Sequence, residues 1–224
     1  MIRIGSKEIE TTKIVCLGRN YREHAKEFNA PVPAEPVFFV KTINSIITDN
    51  KPIIYPRILY ESEDFNRVDH EVELAFILSR RCKKIFSEMA FDYVQGYSVF
   101  LDITARNMQI FDRNKNLPWY RSKNFDTFSA IGPRIVPLKE IEDPHNLNIE
   151  LQLNGEIKQS SNTNCMIFKI PKILEYISSF LTLEKGDIVA TGTPSGVGPI
   201  QPGDVINASI DGIGTITHDV ILEE

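Results

Sequence analysis

The run His-Glu-Val-Glu-Leu-Ala-Phe-Ile-Leu at 70–78 constrains this chain more than any other stretch. Apart from Glu73 it is apolar from Val72 onward, so it reads as a strand in which alternate side chains share a face. Glu71 and Glu73 therefore point the same way, with Cβ atoms about 6.6 Å apart. Two carboxylates at the mouth of an apolar strand repel each other and lose hydration unless something positive lies between them. A divalent cation meets that need. Oxygen-only ligands favour Mg²⁺, Mn²⁺ or Ca²⁺ over Zn²⁺, which prefers His and Cys. Asp102, closing Tyr-Ser-Val-Phe-Leu-Asp at 97–102, is the third candidate ligand. Taken alone, such carboxylates at the mouth of a strand are more often a solvated edge than a metal site.

Composition narrows the partners. A chain of 224 residues with 42% hydrophobic content can bury a sizeable core, and the absence of a repeat or long linker makes 1–224 a single expected domain. The net charge of −5, with both signs interspersed, offers no basic face to a nucleic acid and no polybasic anchor to a membrane. No window approaches the ~20 apolar residues of a membrane span, and no signal core or Arg-rich leader opens the sequence. Cys16, Cys82 and Cys165 are odd in number and outside any Cys-x-x-Cys spacing, which argues against a disulfide framework and a thiolate metal site. The expectation is a cytoplasmic protein that handles small molecules, with neither nucleic acid nor membrane as partner.

Local signals predict β structure interrupted by a few helices. Residues 13–17 read as a strand, and 20–28 as a helix capped by Asn20 with Glu23 three residues on. Pro31, Pro33 and Pro36 then punctuate the approach to a strand at 37–41, which makes 20–36 a candidate flap. A short helix at 87–94, a strand at 95–102 and a helix at 104–113 capped by Thr104 follow. Asn154-Gly155 and Asp211-Gly212 mark hairpins within 148–159 and 204–222. Between them 170–181 is an amphipathic helix with Ile173, Leu174, Ile177 and Leu181 on one face and Gly186 just past its end.

Taken in order, Gly18-Arg19-Asn20-Tyr21, His24, Glu27, Phe39-Val40-Lys41, His70-Glu71-Val72-Glu73-Leu74, Asp102-Ile103-Thr104-Ala105-Arg106 and Gln109 form a recognisable series. It continues with Lys123, Phe125-Asp126-Thr127-Phe128, Gly132-Pro133, Asn154-Gly155 and Thr191 to Gly198. The series resembles the fumarylacetoacetate hydrolase family, most of all its short acylpyruvase and oxaloacetate decarboxylase branch. The resemblance implies an α+β fold, a mixed β-sandwich roll with a short helical lid. It also implies Mg²⁺ or Mn²⁺ held by Glu71, Glu73 and Asp102, and a homodimer. The implied activity is metal-dependent cleavage of acylpyruvates, or decarboxylation of oxaloacetate, by way of a pyruvate enolate. A divalent ion acts on such a charge as a Lewis acid. A second chemistry of the family is that of 2-hydroxyhepta-2,4-diene-1,7-dioate isomerase or 5-oxopent-3-ene-1,2,5-tricarboxylate decarboxylase. A non-enzymatic alternative is a protein that binds 2-oxo acids with a metal and does not turn them over.

The same resemblance assigns roles. His24 and Glu27, three apart on a helix, form the catalytic pair, with the carboxylate orienting the imidazole so that it can activate water. This pair argues against mere binding, which needs no general base. Lys123 and Arg106 supply positive charge for an anionic substrate, Lys123 as a catalytic group. Arg106 and Gln109 share a helix face. Arg19, Thr191 and Thr193 are expected to contact substrate. One segment departs from the family pattern, in which the lysine at 41 is usually followed by Pro and then by a Ser near the acyl oxygen. Here the order is Lys41-Thr42-Ile43-Asn44-Ser45, so either Asn44 or Ser45 stands in for that donor, Asn44 as a candidate amide donor to an oxyanion. His70 should point to the opposite strand face and pack; His145 and His218 read as surface residues. Trp119 and Tyr120 fit either a pocket wall or the core. Thr191 to Gly198 lacks the Gly-Lys-Ser/Thr ending of a phosphate loop, and Ser195 is not in a Gly-x-Ser-x-Gly elbow.

Overall fold

The computed structural model describes residues 1–28, 30–48 and 51–224; Asn29 of the expected flap lies outside the described residues. The run beginning at Glu71 forms the strand Val72–Leu78, every residue of which is buried. Its alternate side chains enter two different cores. Leu74, Phe76 and Leu78 join the larger one, while Ala75 and Ile77 join a smaller one on the opposite face. A strand covered on both faces needs no polar alternation, which is why this run is apolar throughout after Glu73. Each large aliphatic or aromatic side chain withdrawn from water here contributes roughly 1.5–3 kcal/mol.

That strand lies in the middle of a mixed seven-stranded sheet. The order runs Val37–Lys41, Ile14–Gly18, Ile188–Ala190, Val72–Leu78, Val94–Asp102, Ser129–Pro137 and Ile46–Ile47. Only the pairings of Ile188–Ala190 with Ile14–Gly18 and of Ser129–Pro137 with Ile46–Ile47 are parallel. A second, five-stranded sheet runs Glu156–Asn162, Asn148–Leu153, Val205–Ile210, Gly214–Leu222 and Ile53–Tyr55. Ile149, Leu151, Ile206, Ala208 and Val220 from this sheet share the larger core with Leu74, Phe76, Val99 and Leu101 from the first. The molecule is thus the α+β, mixed β-sandwich roll that the sequence led us to expect. No helix among the described residues is long and apolar enough to cross a membrane.

Several local readings need correction. The first helix is Arg22–Glu27, and Asn20 does not cap it. Asn20 is buried, and its side chain instead donates to the carbonyls of Phe168 and Thr191 and accepts from Phe168 N–H. The helix expected from Thr104 begins at Arg106, because Thr104 and Ala105 pair as a short strand with Asp69 and Val68. Gly186 is not a helix cap: the helix Ile170–Phe180 ends at Leu181 in extended backbone, and Gly186 belongs to a later turn. The N-terminal hairpin of Ile2–Ile4 and Lys7–Ile9, whose isoleucines close the smaller core, has strands too short to give a periodic signal. His218 is buried and its Nδ1 donates to the Lys51 carbonyl, so it is not a surface residue.

Both expected hairpins form. Asn154 and Gly155 have φ of 53° and 81°, the left-handed pair that a two-residue turn with right-handed strand twist requires. The three cysteines are free.

Candidate active site

Sheet register assembles the acidic cluster. Val72 pairs with Leu101 and Glu73 with Phe100, so Glu71 comes opposite Asp102, whose N–H donates to the Glu71 carbonyl at 2.9 Å. Glu71, Glu73 and Asp102 are 4%, 1% and 1% exposed, and one oxygen of each lies within 4.8 Å of the others. Three carboxylates out of reach of water demand positive charge.

Three cationic side chains meet that demand in part. Lys123 Nζ donates to Asp102 Oδ2 at 2.5 Å, Thr104 Oγ1 at 2.7 Å and Glu71 Oε2 at 3.0 Å. Arg106 donates to Glu71, to Gln109 Oε1 at 2.5 Å and to Asp69 Oδ2 at 2.7 Å. The third cation, Lys41, is fully buried behind the cluster. It donates to Asp102 Oδ1 at 2.6 Å and to the carbonyls of Phe128 and Ile103. Burial alone would raise the pKa of Glu71, but Lys123 and Arg106 outweigh it and hold this carboxyl well below the usual range. Glu73 goes the other way: burial, then Asp102 and Glu71, push it well above the usual range.

Glu73 is the member of the trio with no cationic partner among the described residues; its Oε2 accepts only the backbone N–H of Gly192, at 2.8 Å. A buried carboxylate so placed is neutralised by a proton or by a cation. The residues present fit a divalent ion. Glu71 and Glu73 present hard oxygen donors to the cleft, with an Asp102 oxygen within 4.8 Å of theirs, and Glu73 supplies the uncompensated charge.

The cleft gathers most of the expected residues. Arg19, His24, Glu71, Glu73, Arg106, Gln109, Lys123 and Thr193 all line it. His24 Nδ1 lies 3.1 Å from Glu27 Oε2, and the other oxygen of Glu27 accepts from Gly196 N–H at 3.1 Å. The first helix and the Gly-rich turn are therefore tied together through Glu27. Phe28 packs edge-on to His24 at 5.1 Å, and the Arg106 guanidinium sits 4.9 Å from the same ring. Trp119 lines the cleft against Phe39, whereas Tyr120 is largely exposed.

Two expected substrate contacts stand elsewhere. Asn44 is exposed and outside the cleft, its amide donating to Asp126 Oδ1 at 2.6 Å. The change of chain direction in the 3-10 turn Ile43–Ser45 carries it to the surface, while Ser45 turns inward to Thr42 and Ser129. Thr191 is fully buried and spends its hydroxyl on the Leu74 carbonyl at 2.9 Å, so it holds the Gly-rich turn to the sheet. Gly192 next to it needs both its φ of +92° and its missing side chain, since a Cβ would lie 2.8 Å from that of Asn20.

Sequence reasoning gave no site role to Lys41, Asp69 and Gln159. Lys41 stood inside a motif already noted, and a lysine closing an apolar strand was the available signal. Asp69 is two residues before Glu71 and is buried between Arg67 and Arg106. Gln159, in the second sheet, had no local signal.

The chain and its fold have known relatives. Residues 13–221 match the model of the fumarylacetoacetate (FAA) hydrolase C-terminal family. Mitochondrial oxaloacetate decarboxylase of Dictyostelium discoideum is 44% identical over 214 residues, covering 95% of each chain. Human mitochondrial oxaloacetate tautomerase is 42% identical over 207 residues, covering 92% of this chain and 90% of its own. Fumarylpyruvate hydrolase from Pseudomonas aeruginosa, solved with Mn²⁺ and pyruvate, superposes with a TM-score of 0.89 at 30% identity, over 98% of this chain and 93% of that one. The chain belongs to the fumarylacetoacetate hydrolase family and is an enzyme of that family, with an acidic trio suited to a divalent metal.

Proposed function

We propose that this enzyme uses Mg²⁺, with Mn²⁺ able to replace it, to act at C3 of short 2-oxo acids, with oxaloacetate as the favoured substrate. The observation that carries this reading is one cleft lined by Glu71, Glu73, Arg106, Lys123 and His24, with Asp102 close to both glutamates and Glu27 bound to the imidazole. When bound by Glu71, Glu73 and Asp102, the ion supplies Lewis-acid polarisation of the 2-oxo group. Arg106 and Lys123 line the same wall and favour an anionic substrate with the negative charge that grows on its 2-oxygen. The Glu27 carboxylate accepts the Nδ1–H of His24, which leaves Nε2 with the free lone pair that takes or returns a proton at C3. Removal of the C3 proton gives the enolate of oxaloacetate, which takes a proton on its 2-oxygen to become the enol; loss of C4 as carbon dioxide gives instead the enolate of pyruvate, with its charge on the same 2-oxygen.

Hydrolysis of acylpyruvates is the second reading, favoured by the same imidazole–carboxylate pair, which suits activation of water for attack at C4. The relatives named for oxaloacetate match this chain at higher identity than the fumarylpyruvate hydrolase does. A homodimer, implied by the family resemblance, belongs to the same proposal and is tested by sedimentation velocity.

The test follows the enol chromophore and pyruvate release separately, for oxaloacetate and for acetylpyruvate, with Mg²⁺, with EDTA and in Glu73→Ala. Metal-dependent loss of enol without pyruvate identifies tautomerisation; pyruvate from oxaloacetate identifies decarboxylation; pyruvate with acetate identifies hydrolysis. Absence of turnover of both compounds would overturn the proposal and direct attention to dienedioate isomerisation.

A further inference from the structure

Gln159 lies in the second sheet, is fully buried, and touches four groups. Its Oε1 is 3.1 Å from Val72 N and 3.1 Å from His70 Nδ1, and its Nε2 is 2.8 Å from Thr193 Oγ1 and 2.9 Å from the Pro194 carbonyl. Two of these partners are backbone groups that cannot change role. Val72 N–H can only donate and Pro194 C=O can only accept, so the amide has one orientation. His70 Nδ1 then carries the imidazole proton and donates to Oε1. Thr193 Oγ1 accepts from Nε2–H, and its own hydroxyl proton has no acceptor among the described residues.

Thr193 lines the same cleft as Glu73 and Lys123. With one lone pair of Thr193 Oγ1 taken from behind, its hydroxyl proton is free to donate toward the cleft. We infer that Gln159 is a positioning residue, which aims the Thr193 hydroxyl proton at a carboxylate of the bound 2-oxo acid. This rests on the proposed substrate class and gives that site its polarity: an anionic acceptor is favoured at Thr193. The Gly-rich turn is held by the same contact region, since Gly196 passes so close to Lys158 that a Cβ would lie 2.0 Å from its carbonyl oxygen. Thr193 therefore cannot drift away from Gln159 without moving the turn.

The experiment compares wild type with Thr193→Val, Gln159→Glu and the double variant. The readouts are calorimetric affinity for oxalate in saturating Mg²⁺, affinity for Mg²⁺ alone, and kcat and KM for oxaloacetate. In Gln159→Glu the oxygen replacing Nε2 accepts the Thr193 proton and turns it away from the cleft. Oxalate affinity is expected to fall about tenfold to a hundredfold, the scale of one hydrogen bond to a charged group, with KM rising in step and Mg²⁺ affinity unchanged. In the Thr193→Val background the Gln159 change should add little, because the proton it steers is already gone. Gln159→Met keeps the size but lacks the donor, and its own cycle with Thr193→Val decides the matter if the Glu variant does not fold. Additive losses from the two sites, or unchanged oxalate affinity in the Gln159 variants when Thr193→Val weakens it, would overturn the role of Gln159. Unchanged oxalate affinity in Thr193→Val would instead remove the substrate contact itself, and the inference with it.

Discussion

The ammonium of Lys123 lies 2.5 Å from Asp102 Oδ2 and 3.0 Å from Glu71 Oε2, so one buried cation bridges two of the three carboxylates. Burial would lower the pKa of this lysine, but Asp102 and Glu71 overcome it and hold the group charged. Removing the charge in Lys123→Met leaves two buried carboxylates short of a partner. We expect a loss of about 3–5 kcal/mol of stability in metal-free protein, the usual cost of breaking a buried pair from one side. Saturating Mg²⁺ should restore part of it. Urea unfolding with and without Mg²⁺ measures both, and equal stability of variant and wild type would contradict the bridge.

His24 and Glu27 should separate catalysis from metal binding. Neither belongs to the carboxylate trio, so His24→Ala and Glu27→Gln should retain the thermal upshift given by Mg²⁺. Turnover should fall by about 10²–10⁴, the range for a lost general base. A variant that lost the Mg²⁺-induced shift, or kept full turnover, would show that the pair had been given the wrong role.

Asn44→Ala should leave kcat and KM for oxaloacetate unchanged. Its amide is bound to Asp126 on the surface, and an exposed hydrogen bond of this kind stabilises by no more than about 1 kcal/mol. A raised KM in this variant would bring the residue back into the site.

Asp187 gives the fold a pH-dependent anchor well away from the chemistry. Its Oδ1 accepts from Thr12 N–H, Thr12 Oγ1 and Lys13 N–H, and its Oδ2 from Lys13 Nζ and Glu184 N–H. Burial opposes the charged form, but the donors from Glu184, Lys13 and Thr12 win and lower its pKa. For a carboxyl depressed in the folded state, the stabilisation is fully present above the unfolded pKa of about 3.9 and disappears as pH falls through the folded value. Asp187→Asn should therefore cost about 1–3 kcal/mol at pH 7, where an amide N–H₂ faces donors. The difference from wild type should shrink as the pH falls below about 4. A difference that stayed constant with pH would assign the effect to packing.

The acidic trio was legible in the sequence because a strand period of two placed Glu71 and Glu73 on one face. Asp102 stood at the close of a second apolar run, the family order joined it to the pair, and sheet register sets it opposite Glu71. The hairpins were legible through Asn154-Gly155 and Asp211-Gly212, since a tight turn is a local event. Asn20 and Thr104 were misread as caps because a polar residue before a helical pattern has the same local signature whether its side chain serves the helix or something distant. Asn20 serves Phe168 and Thr191, more than a hundred residues away, at separations of 148 and 171. Gln159 was invisible for the same reason: all of its partners lie in other strands and turns. Asn44 was misplaced because only the turn at 43–45 decides which of Asn44 and Ser45 faces inward.

Exchange of the methyl protons of pyruvate with solvent deuterium, followed by proton NMR, tests enolate chemistry in this cleft most directly. Pyruvate has no carbon–carbon bond to break in this reaction and no second carboxylate, so exchange reports only proton transfer at C3. With Mg²⁺, wild type should exchange these protons well above the rate in enzyme-free buffer, while EDTA, Glu73→Ala and His24→Ala should each bring the rate down toward that background. Exchange no faster than buffer in wild type, with Mg²⁺ bound as shown by its thermal shift, would contradict enolate formation at this site.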